Sequence, residues 1–264
     1  PTREHLVMRI GTYNVLGLKG YPPVEAAKEL GDPDSEKTAA HFQKVFEELS
    51  CDILALQEGV SLHQIQRIAL SMGLNAATFP SPIHWPGHVL TRYPILESRA
   101  FSHTAPESEE RPFSRTAGAA LLQIDEKTRM WVFVVHLHPG IVELRDWEAE
   151  LVKHRVAELS SITEHIMVLG DFNCEVHERI HGHLKKMGFA NAMETAGGGI
   201  RRTMDTVGIQ PHFIDHIYVS PSLISCLTKA EIVRGKGFRH DGPQREGLWV
   251  HSDHLPVLAE LTLP

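Results

Sequence analysis

Short apolar segments that end at polar residues are the feature of this sequence that most constrains its fold. Four of them are followed within two residues by an amide, an acid or a histidine, and a fifth begins shortly after an acid and a histidine: Met8–Tyr13, Ile53–Leu56, Trp131–Val135, Ile166–Leu169 and Val257–Leu261. Short apolar runs between turn signals are typical of buried β-strands. A polar group at the mouth of such a strand is held rigidly while its head group reaches solvent.

The composition is that of an ordinary globular protein. Of the 264 residues, 42% are hydrophobic and 22% are charged, with glycine and proline spread along the chain. The longest purely apolar stretches, such as Trp131–Val135, are far shorter than the roughly 20 residues of a membrane-spanning helix. We therefore exclude a transmembrane segment. Because no linker or internal repeat divides the chain, we predict a single domain over residues 1–264.

The net charge opposes tight binding of long nucleic acids. With 26 Lys and Arg against 33 Asp and Glu, the formal charge is -7, so a duplex meets an overall repulsive field. A nuclease can still carry a local basic rim on an acidic body. Candidates for this basic rim are Arg201, Arg202, Arg234, Lys236 and Arg239, although a solvated loop surface is the simpler interpretation of each.

The cysteines and the first residue leave the compartment open. Cys51, Cys174 and Cys226 are too few and too far apart for a disulfide framework, so reduced thiols are expected. The sequence begins at Pro1 without the regions of a signal peptide, which fits both a trimmed cytosolic protein and the mature part of an exported one. Localisation and oligomeric state stay open.

Hydrophobic periodicity divides the chain into strands and helices. The first 75 residues read as strand, loop, helix, strand and helix, with Gly17–Pro33 as a loop without a period. Short strands follow, including a hairpin around the polar loop 125–129. The predicted strands are Val7–Asn14, Ile53–Gln57, Val89–Thr91, Ile95–Phe101, Ala119–Ile124, Met130–Val135, Ile166–Leu169, Ile214–Val219 and Leu255–Leu261, and the predicted helices are Ser35–Leu49, Ser61–Ser71, Val142–Leu159 and Glu178–Lys186.

Four acids stand at the ends of apolar runs, where an unpaired carboxylate is costly to desolvate. They are Glu58, Asp171, Asp215 and Asp253. Each alone has a structural explanation such as a turn or a helix cap, but together they indicate a cation among them. Mg2+ fits, because it binds one or two carboxylates, keeps several waters and completes its coordination with a substrate phosphate. Mn2+ and Ca2+ are alternatives.

Strand pairing can bring these polar residues together. In an antiparallel sheet, the end of one strand lies beside the start of its neighbour. Residues that follow strands can thus meet residues that precede one; the first group is Asn14, Glu58, His136 and Asp171, and the second is Asp253 and His254. One edge of the sheets would collect the whole set.

An ordered set of short signatures gives the chain a family resemblance. They are Thr12-Tyr13-Asn14, Gln57-Glu58, Leu90-Thr91-Arg92-Tyr93-Pro94-Ile95, His136-Leu137, Gly170-Asp171-Phe172-Asn173, Asp215-His216 and Ser252-Asp253-His254. Each is weak alone, but the complete set resembles the endonuclease/exonuclease/phosphatase (DNase I-like) superfamily over nearly the full chain. The resemblance implies an α/β (α+β) fold: a four-layer αββα sandwich of two mainly antiparallel sheets, face to face with helices outside.

The resemblance also implies a divalent metal at one edge of the sandwich. Glu58 would bind the ion with help from Asn14. Asp253 would be a further ligand of the metal or of its water.

The remaining roles concern the water and the phosphate. Asp171 would orient or deprotonate the attacking water, and Asn173 would fix a substrate oxygen. His136 would contact a nonbridging phosphate oxygen. His254, oriented by Asp215, would stabilise the charge that develops on the phosphate.

These residues predict a divalent-metal-dependent phosphoester hydrolase that attacks phosphorus in line with an activated water. A phosphodiesterase is preferred, because most branches of the superfamily cleave diesters. A nuclease acting on DNA or RNA is the second hypothesis. A noncatalytic binding module on the same fold is the third, but such a module has no physical need to keep buried acids.

Three other residues near the signatures each admit two interpretations. His138 is a second phosphate contact or a residue of the turn before Pro139, and His88 is better explained by packing than by chemistry. Trp85 stacks on a base or packs within a proline-rich loop.

Overall fold

The computed structural model describes residues 6–102, 111–204, 211–240 and 245–263. Within these ranges the strands are β1 Leu6–Asn14, β2 Ile53–Gln57, β3 Asn75–Phe79, β4 Gly87–Thr91, β5 Ile95–Ala100, β6 Ala117–Gln123, β7 Arg129–His136, β8 Ile166–Asp171, β9 Ala190–Asn191, β10 Asp215–Val219, β11 Leu227–Ile232 and β12 Val257–Leu263. The helices are α1 Pro23–Leu30, α2 Glu36–Leu49, α3 Leu62–Met72, α4 Val142–Ser160, α5 Arg179–Lys186 and α6 Ala192–Ala196, with 3-10 turns at Leu16–Leu18 and Pro221–Cys226.

The strands form two six-stranded mixed sheets. Sheet I has the order β11-β12-β1-β2-β4-β3, and sheet II has the order β5-β6-β7-β8-β10-β9. Each contains one parallel pair, β1 with β2 in sheet I and β7 with β8 in sheet II, and the other pairs are antiparallel. The predicted pair of mainly antiparallel sheets is confirmed, and with it the four-layer sandwich.

The central strands have continuous apolar sequences because both of their faces are covered. In β7, Met130, Val132 and Val134 belong to an apolar cluster shared by the two sheets. The alternate residues of β7 belong to a second cluster, which lies between sheet II and the helices α4 and α5. A third cluster joins sheet I to α2 and α3. Helix, sheet, sheet and helix therefore form the four layers.

Helices α2 and α3, on the sheet I side, begin and end close to where the sequence predicts. Ser35 Oγ accepts a hydrogen bond from the Thr38 N–H at the start of α2, and Ser61 Oγ accepts one from the Gln64 N–H at the start of α3. Helix α3 ends at Gly73, whose φ of +65° favours glycine. These local signals explain why the predicted bounds are close to the observed ones.

Several elements differ from the prediction. The region Gly17–Pro33 was predicted to be a loop, but it contains α1, which was missed because only Ala26 and Leu30 of this short helix are buried. Strands β3, β9 and β11 and helix α6 were not predicted either. β11 lies at a sheet edge and alternates poorly, with charged residues at Lys229 and Glu231. The single domain over residues 1–264 stays a prediction.

Among the described residues, no helix combines the length and the apolar character needed to cross a membrane. The longest of these helices, α4, has 19 residues and buries a charged side chain, Glu148.

Candidate active site

Five strand ends gather at one edge of the sandwich. The parallel pair β1 and β2 sets Asn14 beside Gln57, and the parallel pair β7 and β8 sets His136 beside Asp171. The antiparallel pair β8 and β10 then sets Asp215 opposite Asp171. The sequence predicted this meeting of strand ends through antiparallel pairing alone. That explanation was incomplete, because two of the three neighbouring pairs, Asn14 with Gln57 and His136 with Asp171, come from parallel strands.

Gly170 allows β8 to approach β7 closely just before Asp171. Its φ is +146°, and a Cβ there would lie 1.9 Å from the carbonyl oxygen of Val135. No other residue fits this contact without moving one of the two strands. The glycine of the Gly170-Asp171 signature thus determines where the acid lies.

Asn14 connects the two sheets at the site. Its side-chain nitrogen donates to Glu58 Oε1 at 3.3 Å and to Asp171 Oδ2 at 3.0 Å. Its oxygen accepts from the Leu16 N–H at 3.1 Å. In this arrangement Asn14 presents its donor, not its oxygen, to the two carboxylates, and it holds them close to one another.

Glu58 is a buried carboxylate with an unsatisfied oxygen. Glu58 directly follows β2, and its backbone φ of +47° is strained for a residue other than glycine. Among the described residues, Oε2 of Glu58 has no hydrogen-bond partner although it is buried. Burial raises the pKa of Glu58, and the neighbouring His254 lowers it less. A cation at Oε2 would satisfy this oxygen and favour its ionised form.

Asp171 lies at the centre of the site. Its Oδ1 accepts a hydrogen bond from the Asn173 N–H at 2.9 Å. Burial raises the pKa of Asp171 to about 7; His254 opposes this shift and Asp215 adds to it. A carboxylate with a pKa near neutrality can take a proton from water at physiological pH.

His254 lies between two carboxylates. Its Nδ1 is 2.8 Å from Asp215 Oδ2, and its Nε2 is 3.7 Å from Asp171 Oδ2. Burial alone would lower the pKa of His254, but Asp215 and Asp171 outweigh it and hold the pKa well above its usual value. The two carboxylates therefore favour the protonated form of the imidazole, which faces Asp171.

His136 is a buried, neutral histidine at the end of β7. Its Nε2 lies 3.6 Å from Asp171 Oδ2 and 3.8 Å from Glu58 Oε1. Burial, then the nearby charge of Arg115, holds the pKa of His136 well below its usual value. The neutral ring of His136 therefore places Nε2 beside both Glu58 and Asp171.

The remaining predicted residues lie on the surrounding loops. Asn173 has a φ of +48°, and its side-chain nitrogen donates to the Leu137 carbonyl at 2.9 Å. Asp253 is half-buried, and its Oδ1 accepts from Ser252 Oγ at 3.3 Å. Ser252 Oγ is also 2.6 Å from the Asn14 carbonyl oxygen, so the loop that carries Asp253 is tied to the end of β1.

Arg115 is a site residue that sequence reasoning missed. Its Nη1 lies 3.4 Å from His136 Nε2 and 4.0 Å from Glu58 Oε1. The guanidinium stacks over the Trp85 ring at 5.1 Å. A signal existed, since Arg115 stands just before the apolar start of β6 as Asp253 stands before β12, but only acids, amides and histidines were considered at such borders.

Glu148 is a second missed residue, and it links two loops of the site. It is fully buried in α4. Oε1 accepts from the Ser114 N–H at 2.8 Å and from its hydroxyl, and Oε2 accepts from the His138 N–H at 2.9 Å. Ser114 precedes Arg115, and His138 follows His136 by two residues. An acid in a charged helix gives no sequence signal of such burial.

Two of the residues with two interpretations, His138 and His88, and one residue of the candidate basic rim make specific contacts. His138 Nδ1 accepts from the N–H groups of Gly140 and Ile141 at the start of α4, so it is a turn residue. His88 is fully buried and hydrogen-bonds Thr78, as expected of a packing histidine. Of the candidate basic rim, Arg234 donates to the Arg202 carbonyl at 3.0 Å, which connects two of its members.

Among the described residues, two cavities have lining residues beside the site. One, of about 320 Å³, is lined by Pro139, Arg145, Asn173, Glu175, Glu178, Met204, His212 and Ile214, and it adjoins the end of β8 in sheet II. The other, of about 260 Å³, is lined by residues that include Lys19, Gly59, His84 and Trp85, and it adjoins the end of β2 in sheet I. The first cavity is lined by Asn173, whose N–H donates to Asp171 Oδ1, and the second is lined by Gly59, which follows Glu58 in the sequence.

Solved structures that resemble this fold include the following three. An endonuclease/exonuclease/phosphatase family protein from Bacteroides thetaiotaomicron is 18% identical, with 99% of both chains covered and a TM-score of 0.73. A mannosyl-6-phosphatase from the same species is 20% identical, with 97% of this chain and 100% of that one covered and a TM-score of 0.71. A 3′ phosphatase from Neisseria, bound to a product DNA hairpin, is 19% identical, with 96% and 99% covered and a TM-score of 0.66. At these identities the likeness concerns the fold alone.

Sequence comparison assigns the family independently of these structures. No protein of curated function matches the chain significantly. The profile described as the Endonuclease/Exonuclease/phosphatase family matches residues 11–237, most of the chain. The members of this family are phosphoester hydrolases. The chain thus belongs to the endonuclease/exonuclease/phosphatase family.

Proposed function

We propose that this protein is a divalent-metal-dependent phosphoester hydrolase with a preference for phosphodiesters. The observation that carries the proposal is the contact of Glu58 and Asp171 through the Asn14 amide, with the charged His254 facing Asp171. An unsatisfied acid, a base of near-neutral pKa and a buried cation are the groups that water attack on a phosphate ester requires.

The metal belongs at Glu58. The buried and unpartnered Oε2 of Glu58 fits a hard cation that prefers oxygen ligands. The ligand atoms of Asp171, Asp215 and His254 also lie within 4.8 Å of one another, but His254 Nδ1 is already paired with Asp215 Oδ2 at 2.8 Å, so we prefer Glu58. When bound, Mg2+ would neutralise phosphate charge and polarise the phosphoryl group. Mn2+ or Ca2+ could replace it.

Asn14 and Asp253 have supporting roles toward the ion. The Asn14 oxygen accepts from Leu16, so we propose that Asn14 chiefly positions Glu58 and Asp171. Its predicted role as a ligand would need its amide to turn. Asp253 raises the pKa of Glu58 by its charge, which is consistent with a position from which it could bind a water of the metal.

Asp171 is the proposed base for the attacking water. Oδ1 of Asp171 is fixed by the Asn173 N–H, while the charged His254 keeps part of the carboxylate ionised. Asn173 would hold a substrate oxygen beside it. A water between this carboxylate and the phosphorus would then be oriented for in-line attack, with its proton passing to Asp171.

Three side chains would stabilise the negative charge that develops on the phosphate. His254 donates from Nε2, and Asp215 orients the ring through Nδ1. Arg115 is a permanent cation 4.0 Å from Glu58 Oε1. Neutral His136 would contact a nonbridging oxygen. Preorganised donors of this kind are worth more in a buried site than in water.

The two flanking cavities favour a diester over a monoester. A diester carries two substituents on phosphorus, and the site has one cavity beside Asn173 and another beside Gly59. Each could receive one substituent. A monoester would leave one of the cavities without an occupant.

A chelation assay tests the proposal. We expect the protein to hydrolyse bis(4-nitrophenyl) phosphate at least about tenfold faster than 4-nitrophenyl phosphate, to lose activity in EDTA and to regain it with Mg2+ or Mn2+. Asp171→Ala and His254→Ala should each lower kcat by at least about 100-fold, whereas Glu126→Ala, in the exposed β6–β7 loop, should not. Turnover in EDTA would contradict the mechanism, and a faster monoester would contradict the diester preference.

A nuclease is the second candidate, because an aromatic ring lies beside the site. Trp85 lines the cavity next to Gly59 and is stacked against Arg115, and such a ring can stack on a base. A similar fold occurs in the Neisseria 3′ phosphatase with its product DNA hairpin. The net charge of -7 argues against tight duplex binding. Steeply salt-dependent affinity for DNA or RNA would favour this candidate. A noncatalytic binding module on the same fold is disfavoured, because such a module has no physical need to keep buried acids.

A further inference from the structure

The cavity beside Asn173 has the dimensions and the lining of a small-molecule pocket. Its volume of about 320 Å³ lies at the lower end of ligand sites. Pro139, Met204 and Ile214 supply apolar surface. Glu175 and His212 supply polar groups that lie 3.3 Å apart and remain partly exposed, with 42% and 34% of their side chains accessible. The pocket therefore offers both an apolar wall and hydrogen-bonding groups.

The wall of this pocket is built directly on the candidate active site. The backbone of Met204 pairs with that of His254 and with that of His212. Next to it, Thr203 Oγ1 accepts from the Asp215 N–H at 3.1 Å. A group in the pocket would thus be held by segments attached to Asp215 and His254, within reach of a phosphate at the site.

The charges of the pocket disfavour a second anionic group. The cation Arg145 is held by Glu178, whose two oxygens accept from Arg145 Nε at 2.8 Å and Nη2 at 2.9 Å. Its Nη1 donates to the His138 carbonyl at 3.1 Å. Glu175 adds a negative charge, and among the described residues its carboxylate contacts His212. Among the described lining residues, no cation is thus left for a second phosphate or carboxylate.

We propose that this pocket binds an uncharged, polyhydroxylated ring attached to the scissile phosphate, an inference that rests on the proposed function. Glu175 accepts hydrogen bonds from hydroxyl groups, His212 provides a second polar contact, and the C–H face of the ring packs on Met204 and Ile214. A sugar-like ring meets all three conditions, because it has hydroxyl donors, an apolar face and no charge. A nucleobase meets them less well, since no large aromatic ring is among the described residues of the lining.

A matched pair of diesters tests the inference. Both are 4-nitrophenyl phosphodiesters with Mg2+; the second substituent is glucose-6-yl in one and cyclohexylmethyl in the other, so the two differ chiefly in hydroxyl groups. We expect kcat/KM of the glucose diester to be about tenfold higher, mostly through KM. Glu175→Ala should lower this ratio to near one, and His212→Ala should lower it less. Glu126→Ala is the matched control, because Glu126 is an exposed acid in the loop between β6 and β7. It should retain the kcat/KM ratio of the two diesters.

Binding measurements separate a failure of the pocket from a failure of the proposed function. Asp171→Asn is titrated calorimetrically in Mg2+ with glucose 6-phosphate and with cyclohexylmethyl phosphate, with and without Glu175→Ala. Tighter binding of the sugar phosphate by about tenfold, lost with Glu175→Ala, supports the pocket even if no ester is hydrolysed. If both diesters are hydrolysed equally well, or if Asp171→Asn binds the two phosphates equally or not at all, the pocket inference is overturned while the proposed hydrolase is judged on turnover alone.

Discussion

Replacing Asp171 with asparagine should inactivate the protein and at the same time stabilise its metal-free form. Asp171 is buried at the centre of the site, and burial raises its pKa to about 7. Asparagine has nearly the same shape but no charge. The proposed base is thus lost, while the cost of burying an ionised carboxylate is removed.

The size of the effect follows from the pKa. A rise from 3.8 to about 7, at 1.36 kcal/mol per unit, means that the ionised carboxylate costs about 4 kcal/mol of folding free energy above pH 7. In the wild type, the Asn14 nitrogen donates to Asp171 Oδ2 at 3.0 Å. In Asp171→Asn, an amide nitrogen can face this donor, which costs about 1–2 kcal/mol of hydrogen bonding. The net gain at pH 8 is about 2–3 kcal/mol, or about 4–8 °C in Tm.

The dependence on pH has a definite sign. Because the pKa of Asp171 is higher in the folded protein than in the unfolded chain, its contribution to stability is fully present below pH 3.8 and is lost as the pH rises through 7. The gain from Asp171→Asn should therefore be large at pH 8 and small at pH 5. Saturating Mg2+ should reduce the stability gain from Asp171→Asn, because an ion at Glu58 offsets the charge of the Asp171 carboxylate in the wild type.

The assay is urea unfolding of both proteins in EDTA at pH 5 and pH 8, followed by fluorescence and circular dichroism together. The reasoning is refuted if Asp171→Asn is less stable than the wild type at pH 8, or if the difference is the same at both pH values. Asp146→Asn in α4, where the acid pairs with the half-exposed Arg179 at 3.5 Å, is a control that should change stability little.

Three further predictions concern residues around the reacting phosphate. Asp215→Asn should lower the pKa of His254, because it removes the carboxylate that does most to raise it, so activity in a pH–rate profile should be lost at a lower pH than in the wild type. Arg115→Met should lower kcat/KM for a diester by about 10–100-fold in steady-state kinetics, whereas Arg115→Lys, which keeps the charge, should lose less. Glu148→Gln should reduce the free energy of unfolding by about 1–3 kcal/mol in urea melts, because one of its three donors meets an amide N–H; unchanged stability would contradict the contacts of this carboxylate.

The elements that the sequence predicted well are those with local signals. The cap of α2 by Ser35 and the end of α3 at Gly73 depend on residues within one turn of the helix. The apolar run of β7 marks a buried strand by itself. Helix α1 and strand β11 were missed because each buries few residues, and their positions depend on neighbours that are distant in the sequence.

The candidate site divides in the same way. The sequence by itself determined which acids, amides and histidines lie at strand ends, because burial makes an apolar run and its polar border visible in one segment. Only the tertiary structure decided their partners: Asn14 and Asp171, 157 residues apart, meet because two sheets pack face to face. The same packing decided that Arg115 and Glu148 belong to the site. A salt bridge or hydrogen bond between distant segments leaves no periodic trace, so its existence depends on the packing of layers that no single segment contains.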